Sequence, residues 1–272
     1  MENKRTYPAK GVLTALGKSL LYLLFFLVVQ FLAGIVYAAL AVAGGADAGS
    51  ILGGTETAVL LAYLLTAAAV LLWFRLRRVP LGEAAGLRRC SGWTAAFCAS
   101  AAIGLFVVVQ LALMLLPTAW LTDYNDHMEL LLSTGLIPAL SIAVAGPLAE
   151  ELMFRGVIQT RLERAMPVWA AVVLQAVLFG VTHGTPVQMA YAFLMGLVFG
   201  LLRSRTGSIL PGFAAHAAFN AMNDPLGLFS SAAGGWYAFA VMAAVSAAGC
   251  VLCRRGLAPL AAPARQEGGS AR

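Results

Sequence analysis

The sequence predicts an all-α, polytopic integral membrane protein of about eight transmembrane helices with both termini cytoplasmic, and three observations carry that prediction. The 272 residues are 61% hydrophobic and 11% charged, against about 25% charged in a typical soluble domain. Several windows stay apolar for about 20 residues, the length that crosses a hydrocarbon core of about 30 Å. These runs are continuous rather than alternating, which argues against a β-barrel.

Taken in order, the spans are expected at about 19–43, 57–76, 93–116, 137–162, 168–183, 187–203, 208–223 and 236–253. The first apolar run, Leu20 to Val42, follows Lys4, Arg5, Lys10 and Lys18. It outruns the 7–15 residues of a signal-peptide core and reads as a retained signal anchor. The joints between spans carry Gly, Pro and charge, as in GGADAGS, RLRRVPLGEAAGLRR, PTAWLTDYNDH and DPLGLFSSAAGG. Residues 1–253 are expected to form a single transmembrane domain, and 254–272, rich in Ala, Pro, Arg and Gly, a disordered cytoplasmic tail.

Charge placement gives the orientation. Arg75, Arg77, Arg78, Arg88 and Arg89 lie in the second joint, Arg161 and Arg164 in the fourth, Arg203 and Arg205 in the sixth. Arg254, Arg255, Arg265 and Arg272 follow the last span. Apart from Arg155, every Lys and Arg therefore falls on one side, while Asp47, Glu56, Asp123, Asp126, Glu129 and Asp224 fall on the other. This matches a cell (inner) membrane protein, and the net charge of +6 is topogenic rather than a nucleic-acid footprint. Cys90, Cys98, Cys250 and Cys253 imply no disulfide framework in such a chain.

Once topogenic charges and joints are set aside, Glu150, Glu151, Arg155, His183 and His216 remain within the spans, accompanied by Asn220 and Asn223. An ionisable residue at the centre of an apolar helix costs roughly 2.5–3.5 kcal/mol on insertion scales, so such residues normally face a bundle interior or a wet cavity and mark function. Glu151 and Arg155 stand at i, i+4 with the acid first, the favourable order. Glu150 lies about 100° around the helix from Glu151 and is expected to face a different partner. Glu150 precedes Pro167 by 17 residues and His183 follows it by 16, so in an antiparallel hairpin the two share one depth. Across a helix gap of about 8–10 Å they can meet directly or through one water.

Carboxylate and imidazole at one level make a general base for water, and His216 with Asn220 at i+4 supplies donors for a developing oxyanion. No serine or cysteine is paired with a base, so the reaction class is hydrolysis of an amide bond by activated water. Phe179, Gly196 and Gly200 read as packing positions, and Pro147 as a kink that frees backbone groups near the glutamates.

The motifs Glu150-Glu151-x-x-x-Arg155, Phe179-x-x-x-His183 and His216-x-x-x-Asn220 resemble those of the type II CAAX prenyl endopeptidase family, also called CPBP or ABI. So do FRG after the glutamates, MGLVFGLL, and TGSILPGFAAHAAFN. The resemblance spans Gly146 to Asn223, within a core of about 137–223. It implies an eight-helix intramembrane protease of bacterial type, needing no metal, whose site opens to the cytoplasm. It further implies that Glu150 activates water with His183, that His216 and Asn220 form the oxyanion hole, and that Glu151 and Arg155 support the site. The implied partner is a membrane-embedded or membrane-associated protein or peptide, prenylated or not.

Other readings use the same residues. Glu150, His183 and His216 plus water would make a catalytic zinc site, although no H-E-x-x-H is present. A non-catalytic scaffold or bacteriocin self-immunity protein would use the polar cluster to bind a partner. Proton-coupled transport would also suit mid-membrane acids, but no inverted repeat accompanies them.

Overall fold

The computed structural model describes residues 7–47, 54–78, 80, 86–131, 134–223 and 236–261. Among these residues there are ten helices and no strand, with one isolated bridge between Leu87 and Ser208. The helices are α1 (Ala9–Ala43), α2 (Thr55–Leu76), α3 (Gly92–Leu113), α4 (Thr118–Leu131), α5 (Leu136–Glu163), α6 (Val168–Gly180), α7 (Pro186–Thr206), α8 (Leu210–Ala221), α9 (Trp236–Leu252) and α10 (Ala258–Ala261).

This is a multi-pass membrane protein. By length and apolarity α1, α2, α3, α5 and α7 can each cross a bilayer, and α9 with the bent turn after it makes a sixth. Each expected span coincides with a helix, but α6 and α8 hold only 13 and 12 residues. At 1.5 Å per residue they reach about 20 and 18 Å, short of a hydrocarbon core of about 30 Å.

Local chemistry explains these bounds. α7 starts on Thr185, whose hydroxyl accepts from the Gln188 N–H at 3.3 Å, with Pro186 in the first turn where a missing N–H costs nothing. It stops at Gly207, which takes φ 68°, a left-handed cap that glycine adopts freely. Two segments depart from expectation. The joint PTAWLTDYNDH is helical as α4, because its charges form one wet face: Asp123, Asp126 and Glu129 are exposed while Tyr124 is buried against Tyr191 of α7. The start of the expected tail is also ordered, with a 3-10 turn at Arg254–Leu257 leading into α10. The rest of the tail, 262–272, lies outside the described residues.

α5 is the axis of the molecule, and it is not wound uniformly. Ser141–Ala145 and Glu151–Gln159 are π-helical, with one α-turn, Gly146–Glu150, between them. In the first stretch Gly146 N–H donates to the Ser141 carbonyl five residues back. The next N–H in that pattern would belong to Pro147, which has none. The Ile142 carbonyl therefore loses the partner that this winding would supply, and π-turns of this kind occur often at functional sites.

Two apolar clusters flank the axis. In one, Leu152, Phe154, Ile158 and Leu162 of α5 pack with Phe26 of α1, Val70 and Phe74 of α2, and Phe179 of α6. In the other, Phe106 of α3, Met195 and Phe199 of α7, Phe219 of α8 and Met242 of α9 come together. The outer faces stay apolar, for example Leu20, Phe31 and Leu40 on α1, as a lipid-facing surface requires. α6 and α7 approach closely because Gly196 and Gly200 line their interface, as the small-residue spacing predicts: a Cβ at Gly196 would stand 2.9 Å from Ala176 Cα.

That contact is with backbone, so Gly196→Val is expected to destabilise the protein by about 1–3 kcal/mol through overpacking. Gly34 has open space around its Cβ position, and Gly34→Ala is expected to leave stability unchanged. Thermal unfolding in detergent checks the pair, and equal midpoints for the two variants would contradict this interface.

Candidate active site

The polar residues singled out in the sequence converge where α5 meets α6, α7 and α8. Arg155 and Glu151 are both fully buried, and Arg155 Nη1 donates to Glu151 Oε1 at 2.7 Å. The guanidinium also lies 4.3 Å from the centre of the Phe179 ring and 5.2 Å from that of Phe199. A desolvated cation over an aromatic face gains about 2 kcal/mol or more per contact, which offsets part of the cost of burying the charge. Gly212 of α8 lets Glu151 in, since a Cβ there would stand 2.8 Å from Glu151 Oε2.

His216 of α8 sits between the two glutamates. Its Nδ1 is 3.4 Å from Glu151 Oε1, and its Nε2 is 3.6 Å from Glu150 Oε2. A proton on either ring nitrogen thus faces a carboxylate. The ring stacks on Phe199 at 5.1 Å and meets the edge of Phe179 at 5.8 Å. The glutamates point apart, as their 100° separation predicts, yet they close on opposite sides of one imidazole.

His183 is placed differently from the sequence expectation. The shared-depth argument assumes a helix continuous to residue 183, but α6 ends at Gly180. His183 lies in the turn beyond, and its Nδ1 is 2.9 Å from the Phe179 carbonyl. It is His216 that stands at ion-pair distance from Glu150. His183 stays within the electrostatic reach of Glu150 and His216, and its ring packs against Phe179 at 4.7 Å. A carbonyl can only accept, so Nδ1 carries hydrogen in that contact, and Nε2 of the neutral ring is left as an acceptor. α4 lies over this turn, with the His127 imidazole against Gly184.

Asn220 donates its amide to the Ile142 carbonyl at 3.0 Å, the group that Pro147 leaves without a helical partner. One of its two amide hydrogens thus locks α8 to α5, and the other remains for a ligand. Asn223 donates to the Asn220 carbonyl at 3.2 Å and closes the end of α8.

Exposure separates the carboxylates. The side chain of Glu150 is 14% exposed and that of Glu151 is 0%, so the first has open space beside it and the second is sealed within protein. Glu150 Oε1 also accepts from the Tyr63 hydroxyl of α2 at 3.2 Å. Tyr63 and Phe199 belong to the site but not to the sequence reading. A tyrosine hydroxyl in the apolar run LLAYLLT was the available signal for the first; Phe199, one of many apolar residues in its span, offered none. Among the described residues no three His, Cys, Asp or Glu side chains are grouped to hold an ion.

Residues 132–222 match the family model described as "Type II CAAX prenyl endopeptidase Rce1-like". The match covers about a third of the chain and contains Glu150, Glu151, Arg155, Phe179, His183, His216 and Asn220. The segment that carries these residues is thus similar to an Rce1-like type II CAAX prenyl endopeptidase domain. No curated protein and no solved structure gives a significant match.

The buried pair yields a direct test. Arg155→Ala strands the Glu151 carboxylate and is expected to cost about 3–5 kcal/mol, read as lost expression and a lower unfolding midpoint. Replacing both partners, Glu151→Met with Arg155→Leu, is expected to recover much of that stability, because an apolar pair of similar volume leaves no charge behind. If the double variant proved less stable than Arg155→Ala, this account of the pair would be wrong.

Proposed function

We propose that this protein is an intramembrane endopeptidase in which Glu150 activates water for attack on a peptide bond. The observation that carries this reading is the partly exposed Glu150 carboxylate, 3.6 Å from His216 Nε2 and backed by a fully buried Glu151–Arg155 pair. The family match over residues 132–222 supports the same reaction class.

The ionised Glu150 takes a proton from water as the water oxygen attacks the peptide carbonyl carbon. The free Nε2 of His183 accepts from the same water and orients it. The carbonyl oxygen becomes an oxyanion, held by the second amide hydrogen of Asn220 and by the Nε2–H of His216, which at 3.6 Å from Glu150 makes no hydrogen bond to it. Collapse of the tetrahedral species breaks the C–N bond, and Glu150 returns its proton to the leaving amine. General-base help contributes typically 10²–10⁴-fold, and each oxyanion donor about 10²–10³-fold. No step calls on a metal, and metal-independence is part of the proposal. The substrate is a membrane-embedded or membrane-associated protein, and C-terminal processing of a lipidated protein is the form that the family description suggests.

Comparative proteomics of membrane fractions from wild-type and Glu150→Ala cells is expected to reveal a protein that accumulates uncleaved. On that substrate Glu150→Gln is expected to lower kcat by at least about 10³-fold while the unfolding midpoint stays put, since the isostere keeps its packing. Near-normal turnover of Glu150→Gln would remove Glu150 as the base. A full cellular phenotype in Glu150→Ala cells, with the protein present in the membrane, would instead favour a scaffold or self-immunity role.

In the same assay a tight chelator is expected to leave the rate unchanged. Loss of activity that added zinc restores would refute the metal-free mechanism.

A further inference from the structure

We propose that Tyr63 is a positioning residue for Glu150: its hydroxyl fixes one carboxylate oxygen so that the other faces His216 and the reacting water. The proposal rests on the reading of Glu150 as the base. It adds a residue from outside the segment that matches the protease family, since Tyr63 lies on α2 and the match begins at residue 132.

Three observations meet at this contact. The two oxygens of Glu150 have different partners, Oε1 the Tyr63 hydroxyl at 3.2 Å and Oε2 the His216 Nε2 at 3.6 Å. The terminal torsion of a glutamate is broad and roughly two-fold, so the side chain alone does not decide which oxygen faces the imidazole. A donor on one oxygen does. The third observation is the space for the ring. Gly146 lies one helical turn before Glu150, and a Cβ there would stand 3.1 and 3.3 Å from two atoms of the Tyr63 ring. The glycine thus permits the approach that brings the phenol to the carboxylate.

A phenol suits this place. It donates to an ionised carboxylate, and such charge-assisted hydrogen bonds are shorter and roughly twice as strong as neutral ones. The rest of the ring is apolar and matches the surroundings on α2.

The test uses the full chain in lipid nanodiscs. Infrared spectra at fixed pH assign the Glu150 carboxylate band as the one absent in Glu150→Gln, and the same band is then followed in Tyr63→Phe. The ring of Tyr63→Phe still fills the space beside Gly146, so the fold is expected to hold. The expected result is a displaced Glu150 band, other carboxylate bands unmoved, and an unchanged unfolding midpoint. Turnover of the protein that accumulates in Glu150→Ala cells is expected to drop about 10-fold in kcat with KM unchanged.

Gly146→Ala provides a second arm: its Cβ would stand 3.0 Å from the Ser141 carbonyl oxygen and would crowd the ring at 3.1 Å while keeping the hydroxyl, and it is expected to displace the same band. An undisplaced band in both variants overturns the hydrogen bond whether or not the protein is a protease. A displaced band with wild-type kcat overturns the positioning role. Near-normal turnover of Glu150→Gln overturns the catalytic reading separately, and the infrared result then reports on the contact alone.

Discussion

Everything in the site hangs on how the charge of Arg155 is accommodated. Burying a guanidinium costs several kcal/mol before any partner is counted, and Arg155 is fully buried. The partners that offset the cost come from three different helices: Glu151 on α5, Phe179 on α6 and Phe199 on α7. A fourth joins through Glu151, which reaches His216 on α8. One cation thus sets the distances among four helices. The two rings that cover it also seat His216, by stacking on Phe199 and by edge contact with Phe179. A shift of Arg155 would therefore move the imidazole that faces Glu150.

The polar stripe does not stop at the ion pair. Glu151, Arg155, Gln159 and Glu163 recur every four residues along α5, and all but Glu163 are fully buried. Gln159 donates to Glu163 at 2.8 Å and to the Gly200 carbonyl of α7 at 2.9 Å. Ser204 of α7 donates to Glu163 at 2.7 Å, and Gln175 of α6 donates to the Gly196 carbonyl at 2.7 Å. In lipid, apolar surfaces give helices little reason to prefer one neighbour over another, and small residues with interhelical hydrogen bonds supply it instead. The glycines that let α6 and α7 close are the same ones whose carbonyls accept these amides. Close packing and polar pairing are one device here.

The helical fold and the core of the site were legible because both leave marks in composition and spacing. Apolar runs of bilayer length, together with the few polar side chains left inside them, isolated Glu150, Glu151, Arg155, His183, His216 and Asn220, and the Glu151–Arg155 pair followed from i, i+4 spacing alone. What was not legible depends on where a helix ends or changes its winding. The short α6 puts His183 past its helix, and that His216 stands 3.6 Å from Glu150 depends on how α8 packs on α5. The wet face of α4 read as a loop because charge was the signal, and one-sided charge on a short helix looks like a joint. Pro147 was legible as a source of a freed backbone group, but that Asn220 takes up the Ile142 carbonyl depends on a π-turn. No spacing rule reports such a turn.

Two identical residues side by side meet different surroundings because they lie about 100° apart on one helix. The α-turn Gly146–Glu150 ends at the first glutamate, and the π-helical stretch begins at the second. Helical winding separates neighbours by about 100°, and the backbone keeps helical angles at both residues, φ −69° and ψ −45° at Glu150 and φ −63° and ψ −40° at Glu151. Glu151 turns inward to a cation and leaves water altogether. Glu150 stays partly exposed, accepting from a phenol at 3.2 Å with an imidazole 3.6 Å away. A carboxylate sealed against an arginine is a poor base, because its charge is already neutralised by a fixed partner. A partly exposed carboxylate whose hydrogen-bond donor is a neutral phenol has no fixed cation to neutralise it. The different settings of Glu150 and Glu151 therefore follow from their positions about 100° apart on α5 and from the partners that each position meets.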